Sequence, residues 1–186
     1  MEQRLPGWYE RPSSQARRGD GKIERLESIR GPSLATASRL EVSVGSKTIP
    51  QHAVWILHGV TSHERYATRA EHDRIAAVQP PLDRAEATRA ALIPIAKSAE
   101  WWELSQDERR AIFEEDSHHI AIGLEYLPAI ARRLYHCRGL DEPFDFLTWF
   151  EYAPADAAPF EQLVTRLRKT REWDYVEREI DIRLAR

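Results

Sequence analysis

The sequence predicts an α+β fold of the ferredoxin-like type, in which helices cover one face of an antiparallel sheet. Three observations carry this reading. Strand-like runs at Arg89–Lys97, Arg132–Cys137, Phe144–Tyr152 and Tyr175–Leu184 carry β-branched and aromatic residues, the last with clear alternation. Helix signals fall between the first and second runs and between the third and fourth. From Arg89 onward the order is therefore β-α-α-β-β-α-β, which closes as helices on one side of an antiparallel sheet.

Each element has its own justification. Residues 1–35 are rich in Arg, Gly, Ser, Pro and Glu with little periodicity, and read as a mobile N-terminal arm. Residues 36–88 read as a reduced first unit. Leu40–Val44 alternates apolar with polar, Ala53–Val60 is a second strand-like run, and residues 62–72 contain good helix formers behind a Ser62 cap. Residues 89–186 form the complete second unit. Pro94 interrupts the strand at 89–97 and predicts an edge position or a bulge there. Ser105-Gln106-Asp107-Glu108 is a capping box, so a helix starts here and runs through Phe113. A second helix spans the stretch after Ser117 and ends at Pro128, which lacks an N–H and clashes with the preceding turn. Beyond it the chain leaves extended, carrying Arg132. Phe160, Leu163, Val164 and Leu167 then fall at helical spacing within 157–169.

Composition excludes several classes of function. The 186 residues are enough to bury a proper core, and 42% hydrophobic with 31% charged residues describes a solvated globular chain. A net charge of −3, with Arg interleaved among Asp and Glu, gives no basic field for a nucleic-acid backbone. No run approaches the ~18 apolar residues of a membrane span, so neither nucleic acid nor membrane is an expected partner. Cys137 is the single cysteine, which rules out a disulfide framework or a cysteine-based metal site and fits a cytoplasmic setting.

The chemistry concentrates around His119. On a helix His119, Ile122, Gly123 and Tyr126 fall at i, i+3, i+4 and i+7, so the imidazole sits within the apolar stripe. Its neighbour His118 points about 100° away and reads as a surface residue. Glu115 and His119 at i, i+4 could share a metal ion, but no third ligand stands at a convincing spacing. A haem asks for only one protein ligand, with the second ring nitrogen held by an acceptor, and Gly123 one turn on lowers the helix surface beside it. Spacing alone favours a satisfied core histidine over a ligand. Trp101, Trp102, Trp149 and Trp173 read as core or interface aromatics, and His136 and Cys137 as sheet residues. Lys97, Arg89 and Arg132 read as ordinary solvated or paired charges.

Several motifs then agree in order. Ala99-Glu100-Trp101-Trp102, Asp107-Glu108-Arg109, His119 with Tyr126-Leu127, Arg132, Leu134-Tyr135-His136, Gly139-Leu140-Asp141 and Phe144 to Glu151 together resemble the chlorite dismutase family, over about residues 53–186. The likeness is to its short, dimeric subgroup with a reduced N-terminal half. It implies a dimeric α+β barrel and one haem b (iron protoporphyrin IX) per subunit in the C-terminal unit. It also implies conversion of chlorite to chloride and dioxygen, a homodimer, and chlorite and small anions as the molecules bound. It further implies that His119 is the proximal ligand, that Glu172 holds that ligand's second nitrogen, and that Arg132 is the distal arginine. Lys97, Trp101 and Trp102 would line the haem pocket, with Tyr66 and Arg89 as propionate contacts. An arginine cannot act as a proton shuttle, but it can hold the transient hypochlorite left when chlorite gives up an oxygen. Related haem enzymes that decarboxylate coprohaem or act as peroxidases, and a haem-binding module without turnover, are the alternatives the resemblance leaves. The decarboxylases resemble this pattern but lack the distal arginine.

Overall fold

The computed structural model describes residues 21–43, 51–61 and 66–186. One seven-stranded antiparallel sheet runs in the order β2-β1-β7-β4-β6-β5-β3. The strands are β1 (Gly21–Arg30), β2 (Arg39–Leu40), β3 (Val60–Thr61), β4 (Arg89–Lys97), β5 (Ala131–His136), β6 (Phe146–Tyr152) and β7 (Val176–Ala185). The central order β7-β4-β6-β5 is that of a ferredoxin-like unit, and it matches the order expected from residue 89 onward. Helices α1 (Arg69–Val78), α2 (Ala99–Glu103), α3 (Gln106–Arg110), α4 (His119–Leu124) and α5 (Ala157–Leu167) complete the fold.

The sheet has a core on each face. On the helix side Ala91, Ile93, Ile95 and Phe150 pack against Phe160, Leu163, Val164 and Leu167 of α5. On the other side Leu92, Leu147, Trp149, Ile180 and Ile182 are met by Ile23, Leu26, Leu34, Trp55 and Leu57. Alternation puts odd positions of β4 on one face and even positions on the other, which is why both sets are buried. Burying an aliphatic side chain of this kind contributes about 1.5–3 kcal/mol.

Four expectations need correction. Residues 21–30 are not an arm: they form β1, which pairs along the length of β7 from Lys22↔Ala185 to Arg30↔Glu179. Register shifts between Ile23 and Arg25 and between Ser28 and Arg30 break the two-residue period, which hid the strand in the sequence. Residues 1–20 lie outside the described residues. The strand-like runs at 40–44 and 53–60 shrink to the two-residue strands β2 and β3, with 44–50 outside the described residues. The helix predicted over 62–72 is capped instead by Thr68, whose side chain and Glu71 form a capping box; Ser62 lies outside the described residues. Finally, β4 is central rather than at an edge. It pairs with β6 through Pro94↔Leu147, and its ladder to β7 has no partners at Ile93 and Pro94, where the proline lacks an N–H to give.

The elements around His119 are built tightly. The Ser105–Glu108 capping box starts α3 as predicted, and the chain continues as a π-helical turn over Ala111–Asp116. His118 then takes a left-handed conformation (φ 53°), so α4 begins at His119. Its first free amides, on Ile120 and Ala121, donate to the Glu114 carboxylate at 2.6 and 3.2 Å.

Candidate functional site

Three strands supply the floor of a deep cavity under the helices. Cross-strand register sets Ala91, Phe150 and Arg132 in one row, Ile93, Thr148 and Leu134 in the next, and Ile95, Phe146 and His136 in the third. All but Ala91 line the cavity. The floor is thus apolar through its middle, with a guanidinium at one end and an imidazole at the other. At ~3.3 Å per residue, Arg132 and His136 stand about 13 Å apart along β5.

The opposite wall carries His119, Gly123, Leu124 and Leu127 from α4 and the segment after it, with Phe113, Trp101 and Tyr66 beside them. His119 Nδ1 lies 2.6 Å from Glu172 Oε2. The Phe113 ring stacks on the imidazole at 4.4 Å between centroids and 21° between planes, so the ring is fixed in two directions. Its other nitrogen, Nε2, is left for the cavity side. A Cβ built on Gly123 meets nothing within 4 Å, so the helix presents open space rather than a packed neighbour at that turn.

Glu172 is the anchor of this wall. It sits in a single 3₁₀ turn, Arg171–Tyr175, just before β7. Its carboxylate accepts from Lys97 Nζ at 2.8 Å, and its backbone amide donates to Ser117 Oγ at 2.9 Å. Lys97 is buried, also reaches the Glu172 carbonyl at 3.2 Å, and lies over the rings of Trp101 (4.5 Å) and Trp173 (5.5 Å). Burial alone would raise the Glu172 carboxyl; the Lys97 ammonium and the His119 ring overcome it and hold the group at about 2. An ionised acceptor therefore faces His119 Nδ1, fixing the ring with Nδ1–H donating and making Nε2 the stronger donor to a metal.

The structure brings His119, Glu172, Lys97, Trp101, Tyr66 and Arg132 to one cavity. It does not bring Trp102 or Arg89 there. Trp102 stacks with Phe146 (6.1 Å), lies beneath the Arg138 guanidinium (3.8 Å), and donates to Asp145 at 3.3 Å. Arg89 is paired with Glu24 of β1 at 2.6 Å. Glu115, the i−4 neighbour of His119, is exposed, and the carboxylate that meets the imidazole comes from 53 residues downstream. Among the described residues no group of three or more His, Cys, Asp or Glu could hold a bare metal ion.

Sequence reasoning missed three participants. Phe113 and Ser117 carried no signal beyond their proximity to His119. His136 lies in the sheet as expected, and its even-numbered step from Arg132 also puts it on the cavity face of β5. Glu179, Asp181 and Arg183 are also buried, although they are the polar alternants of β7, and Glu179 lines the cavity. Arg168 from the end of α5 pairs with both carboxylates, at 2.6 and 2.8 Å, and Trp173 Nε1 donates to Glu179 at 2.8 Å.

A carboxylate-held histidine thus shares one apolar cavity with an arginine on a ferredoxin-like sheet. A family model described as chlorite dismutase matches residues 35–186. The dimeric chlorite dismutase of Nitrobacter winogradskyi is 59% identical, with a TM-score of 0.81 over 89% of this chain and 94% of that one. The chlorite dismutase of Candidatus Nitrospira defluvii, solved in complex with imidazole, is 31% identical with a TM-score of 0.56, covering 70% of this chain and 54% of that one. A curated chlorite dismutase from Ideonella dechloratans is 37% identical over 86 residues, which is 46% of this chain and 28% of that protein. The chain thus spans nearly all of the Nitrobacter structure, about half of the Nitrospira one and less than a third of the curated Ideonella relative. The chain belongs to the chlorite dismutase family.

Proposed function

We propose that this protein binds one haem b per subunit and uses it to convert chlorite into chloride and dioxygen. The observation that carries the reading is the placement of His119 and Arg132 on opposite walls of one apolar cavity. Three features fit the group: a single imidazole whose Nδ1 is already engaged by Glu172, open space at Gly123, and a floor of Ile, Leu, Phe and Thr side chains. Bound there, haem would supply the redox-active iron that oxygen-atom chemistry on chlorite requires.

The chain's own residues do the rest. His119 would hold the iron through Nε2, with Glu172 and Lys97 keeping the imidazole oriented and electron-rich. Trp101 and Tyr66, which line the cavity and meet edge to face at 5.9 Å, would pack against the cofactor. Arg132 carries a permanent positive charge and several donors, so it draws the chlorite anion in and holds the hypochlorite released on the way. The overall change, chlorite to chloride plus dioxygen, moves no net proton, so a guanidinium serves where a peroxidase needs a base. The apolar floor excludes water and strengthens the hold on the anion.

The dimeric Nitrobacter relative at 59% identity supports a homodimer, and the lone Cys137 supports a cytoplasmic setting. No described helix is long and apolar enough to cross a membrane. We read residues 36–88 as the reduced first ferredoxin-like unit and 89–186 as the haem-binding one. The test is stoichiometric. Haem-loaded protein given chlorite should release dioxygen and chloride in equal amounts, and Arg132→Ala should keep its haem while releasing trappable hypochlorite. Absence of dioxygen from the wild type would overturn the proposal.

A further inference from the structure

We propose that Arg84 is a positioning residue for Arg132: its guanidinium, gripping the chain between α4 and β5, sets where the anion-holding side chain stands relative to His119. The inference rests on the reading of Arg132 given above.

His119 opens α4 and Arg132 lies at the start of β5, so the segment between them decides how the two face each other. That segment is short and irregular. It turns after Leu124, passes Pro128, and reaches the sheet at Ala131. Backbone bonds from Tyr126 to Gly123 (3.2 Å) and from Ile130 to Tyr126 (3.1 Å) hold its first half. Arg84 holds the second. Nη1 donates to the Pro128 carbonyl at 3.3 Å and Nη2 to the Ala129 carbonyl at 2.8 Å. These are adjacent carbonyls three and four residues before Arg132. One planar fork spanning two successive carbonyls fixes both distance and direction, which a lysine could not do.

Arg84 is itself anchored to the sheet. The preceding residue, Asp83, donates its amide to Glu151 Oε2 at 2.6 Å, and Glu151 is a buried residue of β6 directly opposite Ala131. Arg186 pairs with Asp83 and Glu151, both at 2.7 Å. The path thus runs from β6 through Asp83 and Arg84 back to the residues just before Arg132. Arg84 lies on the connection between α1 and β4 and does not line the cavity, so it acts on a bound anion through the segment it grips, whose one cation at the cavity is Arg132.

A double-mutant cycle separates positioning from general support. Cyanide serves as the probe anion, and its release from the haem-loaded full chain is followed optically for wild type, Arg84→Met, Arg132→Ala and the double variant. Arg84→Met should speed release about tenfold, within the ~100-fold that a misplacement of ~1 Å can cost. Arg132→Ala should speed it at least as much, and the double variant no further than Arg132→Ala alone. The haem spectrum should stay unchanged in all four. If Arg84→Met fails to fold, Arg84→Lys keeps the charge with one of the two bonds and should give an intermediate rate. Effects that multiply in the double variant, or an Arg84→Met or Arg84→Lys rate equal to wild type, overturn the proposal. Cyanide release does not depend on chlorite turnover, so a protein that makes no dioxygen from chlorite still reports on Arg84.

Discussion

Replacing Glu172 with Gln tests the wall that holds His119. The substitution keeps size and shape but removes the charge between Lys97 Nζ at 2.8 Å and His119 Nδ1 at 2.6 Å. Gln has one acceptor oxygen for two donors, and its amide N–H groups would face one of them. The Lys97 ammonium, 4% exposed, then lacks a counter-charge. Leaving one partner of a buried pair unmatched costs about 3–5 kcal/mol. Linkage gives a similar figure. The carboxyl is held down from 4.5 to about 2, and at ~1.4 kcal/mol per unit this contributes about 3 kcal/mol of stability. The sign follows from the depressed value: between pH 4.5 and 2 the unfolded chain binds the proton and the folded one does not. The contribution is whole above pH 4.5 and is lost as pH falls toward 2. For a chain of this length ~3 kcal/mol lowers Tm by roughly 6–12 °C. Thermal unfolding of the haem-free wild type and Glu172→Gln, at neutral pH and through an acid series, checks both parts. A Tm drop under ~2 °C, or the same acid slope in the two proteins, would refute the reasoning.

Two further substitutions probe the cavity. His119→Ala should abolish most haem retention while the haem-free protein stays folded, as read by haem absorbance after gel filtration and by circular dichroism; unchanged haem spectra would move the ligand to His118 or His136. Gly123→Leu puts a side chain into the open space that a Cβ at this position would enter, so haem uptake should fall at least tenfold in a titration. The haem-free Tm should hold or rise, because Leu favours a helix over Gly by about 1 kcal/mol. Haem uptake equal to wild type would place the cofactor away from α4.

The C-terminal unit was legible because its patterns are local. A capping box at Ser105 and alternation in the strands each act within a few residues, and the elements they predict are present, whereas the helix expected to run to Pro128 ends at Leu124. Strand β1 was hidden by its two register shifts, which set Ile23 and Leu26 three apart while both pack on the same core. Pro94 misled because a central strand can spare one donor where its ladder lapses. The buried charges of β7 alternate with Ile180 and Ile182 as a solvent-facing set would, and side-chain partners satisfy them: Arg168 reaches Glu179 and Asp181, Trp173 Nε1 donates to Glu179, and Arg183 donates to Asp181. At the site, His119 stood out by its apolar stripe. Its partner Glu172, 53 residues on, came from family resemblance alone, because long-range contacts leave no trace in spacing.

The central claim is that Arg132 keeps hypochlorite in the cavity until its oxygen is recombined. Isotope mixing tests this most directly. Haem-loaded protein is given an equal mixture of chlorite labelled with ¹⁶O and with ¹⁸O, and the evolved dioxygen is weighed by mass spectrometry. Retention predicts that both atoms of each dioxygen come from one chlorite, giving masses 32 and 36 with little 34, and that Arg132→Ala raises the 34 signal. A large mass-34 fraction from the wild type would contradict the account.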